Sequence, residues 1–487
     1  MSQEVKSILD AHPSYEAVIG IEVHVQLKTK SKVYCSCSNQ FGVEPNTNIC
    51  PICTGQPGVL PVLNKKVVDY ALMAALATKS TVNRVCDFAR KHYMYPDTPK
   101  NYQITQDQRP ICVNGAIPIQ TDDGKDKVVR LVRIHMEEDA GKNIHGTGGV
   151  SWVDLNRAGT PLLEIVSYPD MSSTAEARSY LTRLHTLIRY LGVSEANMDE
   201  GSFRADINIS MRKKGDTKLG TKVELKNINS FKFISNAIEY EIERQITCLE
   251  TGEKINQETR LWDNKQQKTF FMRSKEEAQD YRYFPEPDLP ELQIDDAWLE
   301  RIANMIPELP HDKFNRLQKE YGLSAYEADI LVLEAAIANF FEAAAKISQL
   351  PKPACNWILR DLLAYLKEHK LEVSQTKLTP EALADLVIAL DKGVINSKVA
   401  QEIFIEMMET GKTASVIIKA KGLEQIGSEE ELEKIVLAVI EQNPDSVAKY
   451  RGGNERLFAF FVGQSMKETK GKGNPLVIQQ LLKKHLG

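Results

Sequence analysis

The sequence predicts an α+β protein, with an antiparallel sheet in the N-terminal part and helices in the rest. Three observations carry this expectation. Segments with period-two alternation recur between Val18 and Asn227, and several of them set acidic or amide side chains on one side. Two long amphipathic stretches, Ser173 to Leu191 and Ser230 to Leu249, interrupt those strands with helical periodicity and would pack on the apolar face. From about Asp295 onward the pattern is helical. A chain of 487 residues exceeds one hydrophobic core. The proline-rich run Phe284 to Pro290 and the break at Gly411-Lys412-Thr413 divide it into residues 1–293, 294–410 and 411–487.

Taken in order, the first strong element is Val18 to Leu27. As a strand it buries Ile19, Ile21, Val23, Val25 and Leu27 and presents Glu22, His24 and Gln26 on the other face. Residues two apart on a strand stand about 7 Å apart, so Glu22 and His24 can reach one divalent ion or one phosphate. An ordinary half-buried strand shows the same pattern, and other parts of the chain must decide.

Cys35, Cys37, Cys50 and Cys53 follow, as C-x-C and C-x-x-C on a segment rich in Asn, Pro and Gly. Two such pairs can close a tetrahedral thiolate shell around zinc. Four thiolates leave no open coordination position, so that zinc would be structural. Four free thiols are the competing reading. Cys86, Cys112, Cys248 and Cys355 are scattered and read as reduced, buried thiols.

Asn64 to Lys79 reads as an amphipathic helix capped by Asn64. The run from Arg90 to Gln103 then mixes cations, aromatics and amides with prolines. Basic groups beside planar rings suit a nucleotide base and its phosphates, and a solvated loop with packed tyrosines explains the run as well. Val128 to Ile134 alternates apolar and basic residues and leads into His135-Met136-Glu137-Glu138-Asp139-Ala140-Gly141-Lys142. Three successive acids repel one another unless solvated or neutralised by a cation, and magnesium needs only a few hard oxygen ligands. An exposed acidic turn fits equally. Alternation pairs His135 with Glu137 and leaves Glu138 opposite, so the residues alone do not say which glutamate binds. Acid-bearing strands continue at Leu162 to Val166, Arg204 to Ser210 and Thr221 to Asn227, the last carrying Glu224. Together they describe a sheet with one wet face.

A net charge of −5 gives no global drive toward nucleic acid. Locally, Lys449 to Gly487 holds eight basic residues (Lys449, Arg451, Arg456, Lys467, Lys470, Lys472, Lys483, Lys484) against Glu455 and Glu468, a net +6. Such a patch suits a tRNA backbone; a solvated helical face is the alternative. Met1 to His12 contain no apolar signal region, and acids such as Glu334 and Glu342 break the long apolar helices. A cytoplasmic protein without membrane contact is expected. There is neither a G-x-x-x-x-G-K-[ST] nor a G-x-G-x-x-G after a strand, so ATP, if used, is held by a metal on a sheet. No Cys-His or Ser-His-Asp arrangement and no Gly- and Ser-rich amidase signature stands out.

Gly20 to Leu27, Arg90 to Asp97, His135 to Lys142, Asp154 to Leu162 and Asp280 to Asp288 resemble, in order, the motifs of the B subunits of glutamyl-tRNA(Gln)/aspartyl-tRNA(Asn) amidotransferases. The resemblance covers essentially the whole chain. It implies a cradle domain related in fold to glutamine synthetase, a helical domain and a small helical tail that reaches the tRNA body. It implies a carbon-nitrogen ligase that phosphorylates the side-chain carboxylate of Glu or Asp on a mischarged tRNA with ATP. Ammonia then forms Gln-tRNA(Gln) or Asn-tRNA(Asn). That ammonia comes through a channel from an amidase (glutaminase) partner, the A subunit, in a heterotrimer completed by a small C subunit. By their match to the motifs, Glu22, His24 and Glu138 are expected as magnesium ligands, with Glu137 and Glu224 as second candidates. Lys91 is expected at the phosphates, and Tyr93 and Lys142 beside it at the nucleotide. The cysteine set matches the zinc-bearing members. Two other readings remain open: a glutamine-synthetase-like ligase acting on free amino acids, and a non-catalytic tRNA-binding scaffold.

Overall fold

The computed structural model describes residues 7–121, 123–274, 281–423, 429–469 and 473–487. Asp280, Lys470 and Lys472, named above for their motif and their charge, lie outside the described residues, as do residues 1–6. The chain forms two compact units, Met1–His311 and Asp312–Gly487.

The first unit is organised on a nine-stranded sheet. From edge to edge its strands are Lys268–Ser274, Glu258–Asp263, Val223–Lys226, Phe203–Lys213, Tyr15–Gln26, Pro161–Ser167, Asp126–Glu138, Cys112–Gln120 and Thr81–Val82. The pairings are antiparallel except that Val223–Lys226 runs parallel to Glu258–Asp263. The central strand is Tyr15–Gln26, as the alternation predicts: Ile19, Ile21, Val23, Val25 and Leu27 are at most 1% exposed. Against that apolar face pack the helices Lys65–Ala77, Thr174–Leu191 and Phe231–Thr251. Each starts where a side chain accepts an orphan backbone N–H. Asn64 caps Lys66, Ser173 caps Glu176 and Ser230 caps Phe233. Gly192 and Gly252 end the second and third in the left-handed conformation, at φ +63° and +75°.

The first boundary differs from the expected one. After the proline-rich run the chain stays with the sheet: Phe284–Pro285 pairs with Ala89–His92, and Leu292–Gln293 with Val85–Cys86. The helix Asp296–Ala303 docks on Lys65–Ala77, where buried Asp69 accepts hydrogen bonds from Trp298 Nε1 at 2.8 Å and Arg301 Nη2 at 2.6 Å. The division therefore falls after His311 instead of after 293. Prolines ended a strand here, not a domain.

In the second unit, Ala325–Val332 and Ala335–Ser348 are two separate helices. Glu334 leaves helical backbone between them, which lets Leu331 and Phe341 reach one core. Gly411 ends the helix Ser397–Thr410, yet Ala414–Lys421 still buries Ala414, Ile417 and Ile418 in that core. The expected break at 411 is thus a helix end. A separate small core gathers Leu432, Val436, Phe461, Ile478 and Leu482. Among the described residues no helix is long and apolar enough to cross a membrane.

Candidate functional site

The polar face of the nine-stranded sheet assembles its groups by register. His24 stands opposite Arg204 on one neighbouring strand and Glu164 on the other, and Glu164 stands opposite His135. One rung thus crosses four strands. Glu164 holds both imidazoles, with Nε2 of His24 at 3.3 Å and Nε2 of His135 at 3.4 Å. His135 Nε2 also lies 3.5 Å from Glu137 Oε2. One ligand atom from each of His135, Glu137 and Glu164 lies within 4.8 Å of the others, and all three residues are buried.

Glu22 lies on the next rung, opposite Asp206. It accepts a hydrogen bond from Asn208 Nδ2 at 2.9 Å. Glu224 faces Asn208 from the next strand and accepts from Thr259 Oγ1 at 2.6 Å, while Lys226 bridges it to Asp206. Lys91 reaches the cluster from the Ala89–His92 strand, its Nζ 3.6 Å from Glu137 Oε1 and 5.3 Å from the Tyr281 ring. Tyr93 packs edge-on to Tyr281 and at a tilt to Tyr95.

Burial and mutual charge set the protonation of these groups. Burial pushes the Glu22 carboxyl up, and the charges of Glu164, Asp206 and Glu224 push the same way. Burial opposes the charged form of His135, but Glu164 and Glu137 outweigh it and raise the imidazole to about 9. His24 is raised by the same balance with Glu164. Glu164 goes well below the ordinary carboxylate range: burial works against this, and His135 and His24 prevail. Glu137 is lowered against burial by Lys91 and His135, and Lys91 is raised against burial by Glu137 and Glu164.

Of the expected site residues, the structure brings Glu22, His24, Glu137 and Lys91 together, with Glu224 and Tyr93 at the margins. It does not bring Glu138 or Lys142. Glu138 points from the other side of its strand into a cavity of about 210 Å³ lined by Tyr34, Cys35, Cys53 and Lys100. There Lys100 Nζ and the Ile104 N–H donate to its carboxylate. Lys142 is exposed at the start of the Lys142–His145 strand, and among the described residues no ion pair joins it to the cluster. Glu164 and His135 are the groups that sequence reasoning did not rank. Their signals were a lone acid inside the apolar run Leu162 to Val166 and the alternation that paired His135 with Glu137.

The donor set fits a divalent ion. Carboxylate oxygens suit magnesium or manganese, whereas the imidazoles shift preference toward manganese and the later metals. The cysteines fit a second metal. Atoms of Cys35, Cys37, Cys50 and Cys53 lie within 4.8 Å of one another, close to the roughly 3.8 Å that ~2.3 Å zinc–sulfur bonds impose on a tetrahedron. Their loop is pinned by Asn46, which hydrogen-bonds Val153 O at 2.9 Å and the Leu155 N–H at 2.8 Å, and by Asn48 N to Asn156 Oδ1 at 2.8 Å.

In the tail, Lys484 and His485 pair with Glu433, and Arg451 donates to the Leu486 and His485 carbonyls. Lys449, Arg456, Lys467 and Lys483 are exposed.

Comparison with known proteins shows the family. Residues 17–300 match the model of the GatB/GatE catalytic domain, and residues 339–486 that of the GatB domain. The B subunit of the aspartyl/glutamyl-tRNA(Asn/Gln) amidotransferase of Persephonella marina is 52% identical over 97% of this chain and 99% of its own length. Those of Thermodesulfovibrio yellowstonii and Carboxydothermus hydrogenoformans, covered to the same extent, are 50% and 51% identical. The chain belongs to the family of aspartyl/glutamyl-tRNA(Asn/Gln) amidotransferase B subunits.

Proposed function

We propose that this chain is the carboxylate-activating component of a cytoplasmic, tRNA-dependent amidotransferase acting on Glu-tRNA(Gln), Asp-tRNA(Asn) or both. Its partners are an amidase, the A subunit, and a small C subunit. The observation that carries the reading is the cluster of buried His135, Glu137 and Glu164 with half-buried His24, with Glu22 beside it and Lys91 reaching in. A cradle related in fold to glutamine synthetase would present such a polar sheet face to a nucleotide.

A carboxylate is a poor acyl donor, because hydroxide is a poor leaving group. Transfer of the γ-phosphoryl group of ATP to a side-chain carboxylate oxygen gives an acyl phosphate and ADP; ammonia then attacks the carbonyl carbon and phosphate leaves. Magnesium would be held by Glu137, Glu164, His24 and His135, with Glu22 and Glu224 nearby, and supplies charge neutralisation at the transferring phosphoryl group. Lys91, kept charged by Glu137, orients a phosphate. Tyr93 and Tyr281 offer ring faces to a base. Glu137 takes the place first expected for Glu138, since it shares a face with His135. Structural zinc sits among the four cysteines, and the exposed Lys449, Arg456, Lys467 and Lys483 contact the tRNA backbone.

A scaffold would gain nothing from a buried acid–imidazole cluster joined to a lysine, and a ligase for free amino acids would not use a basic tail. The test is ATP turnover by the assembled complex. It should depend on mischarged tRNA and vanish in Glu22→Ala and Glu137→Ala. Undiminished turnover in both variants rejects the reading.

A further inference from the structure

Lys32 is fully buried, with 0% of its surface exposed. Its ammonium has two polar neighbours: Cys53 Sγ at 3.6 Å and the Leu155 carbonyl oxygen at 3.4 Å. Among the described residues no carboxylate pairs with it. A buried ammonium without an anion costs several kcal/mol, roughly the penalty that makes unpaired buried charges rare. The rest of the residue is built into the cysteine loop. The Lys32 N–H donates to Cys37 O at 3.0 Å, and the Lys32 carbonyl accepts from Asn64 Nδ2 at 3.2 Å. Its methylene chain lies against Gly159, where an added Cβ would stand 3.4 Å from Lys32 Cδ and 3.5 Å from Cys53 Cβ. Gly159 has φ +83°, so this close approach falls where glycine is favoured.

We infer that Lys32 is the positioning residue of the four-cysteine metal site: its ammonium balances the charge of a zinc tetrathiolate and fastens that site to the Leu155 backbone. This rests on the zinc reading above. Four thiolates around Zn²⁺ carry a net charge of −2, which supplies the missing anion. The N–H···S contact fixes Cys53, and the N–H···O contact ties the loop to the segment that Asn46 and Asn48 also grip. Outer groups that hydrogen-bond metal ligands set metal retention by about 10–100-fold.

The experiment compares wild type with Lys32→Met, which keeps the apolar stem and removes the charge, and with Lys32→Gln as a second uncharged variant should Lys32→Met accumulate poorly. Zinc content of the full chain is measured as purified, and zinc release to a chelating dye is timed. Thermal melting is then followed with saturating zinc and after zinc is stripped. Wild type should hold one zinc per chain, and the variants should release it about tenfold faster or more. With zinc, wild type should melt higher. Without zinc the difference should shrink or vanish, because the tetrathiolate charge that the ammonium balances is gone. Lysine serving only as packing would lower melting equally in both states, and that result overturns the inference, as does zinc release at the wild-type rate. A wild-type chain without zinc overturns the zinc reading and this inference together, and so is told apart from failure of Lys32 alone.

Discussion

Glu164 is the centre of the buried cluster, because one carboxylate holds two imidazoles from opposite sides. Replacing it by Gln removes the charge and keeps the shape. In the metal-free chain His135 titrates at about 9 against an ordinary 6.5. A raised pKa contributes stability that is fully present below 6.5 and lost as the pH rises through 9. At pH 7 a folded value of about 9 against 6.5 unfolded corresponds to roughly 2.5 kcal/mol, held by Glu164 and Glu137 together, so Glu164→Gln should forfeit up to that amount. Above pH 9 the His135 imidazole is neutral in both proteins and the difference should narrow. Glu164 itself is held well below its ordinary value, so its own contribution is lost only on acidification. Thermal melting with EDTA, at pH 7.0 and again at pH 9.5, reads this out. At about 1.5 °C per kcal/mol for the unit Met1–His311, the variant should melt up to roughly 4 °C lower at pH 7 and closer to wild type at pH 9.5. An equal loss at both pH values, or none at pH 7, would show that charge does not hold the rung together.

Two further outcomes follow from the same geometry. Asp69→Ala leaves Trp298 and Arg301 without their acceptor, at a cost of about 1–3 kcal/mol; limited proteolysis should then cut next to Asp296–Ala303, and unchanged protection would contradict the revised boundary. Charge reversal of Lys449, Arg456, Lys467 and Lys483 should weaken tRNA binding and flatten its salt dependence by up to about 0.9 in log–log slope per lost phosphate contact, with ATP affinity unchanged. An unaltered salt slope would remove the tail from the tRNA interface.

The central strand and its polar face were legible because burial on one side enforces strict alternation from Ile19 to Leu27. The same alternation paired His135 with Glu137 but did not say which glutamate binds, and motif resemblance favoured Glu138. In the structure Glu137 shares the face of His135 while Glu138 points to the other side, since neighbours on a strand face opposite sides. Glu164 could not be ranked from the chain alone. It acts through register with strands far away in sequence, and nothing in Leu162 to Val166 states that His24 and His135 flank it. The helix starts were local and therefore readable, fixed by Asn64, Ser173 and Ser230. The domain edges were not, because Asp69 recruits a helix from the far end of the unit.

The most direct measurement is amide formation by the complex of this chain with its amidase and small partners, supplied with ATP, magnesium, mischarged tRNA and ammonium chloride in place of glutamine. Wild type is compared with Glu137→Gln. Carboxylate activation at the buried cluster predicts product from free ammonia in wild type and none in the variant, with tRNA binding and the partner's glutaminase activity intact. Wild-type product yield in Glu137→Gln would mean that the carboxylate is activated elsewhere and that the buried cluster is structural.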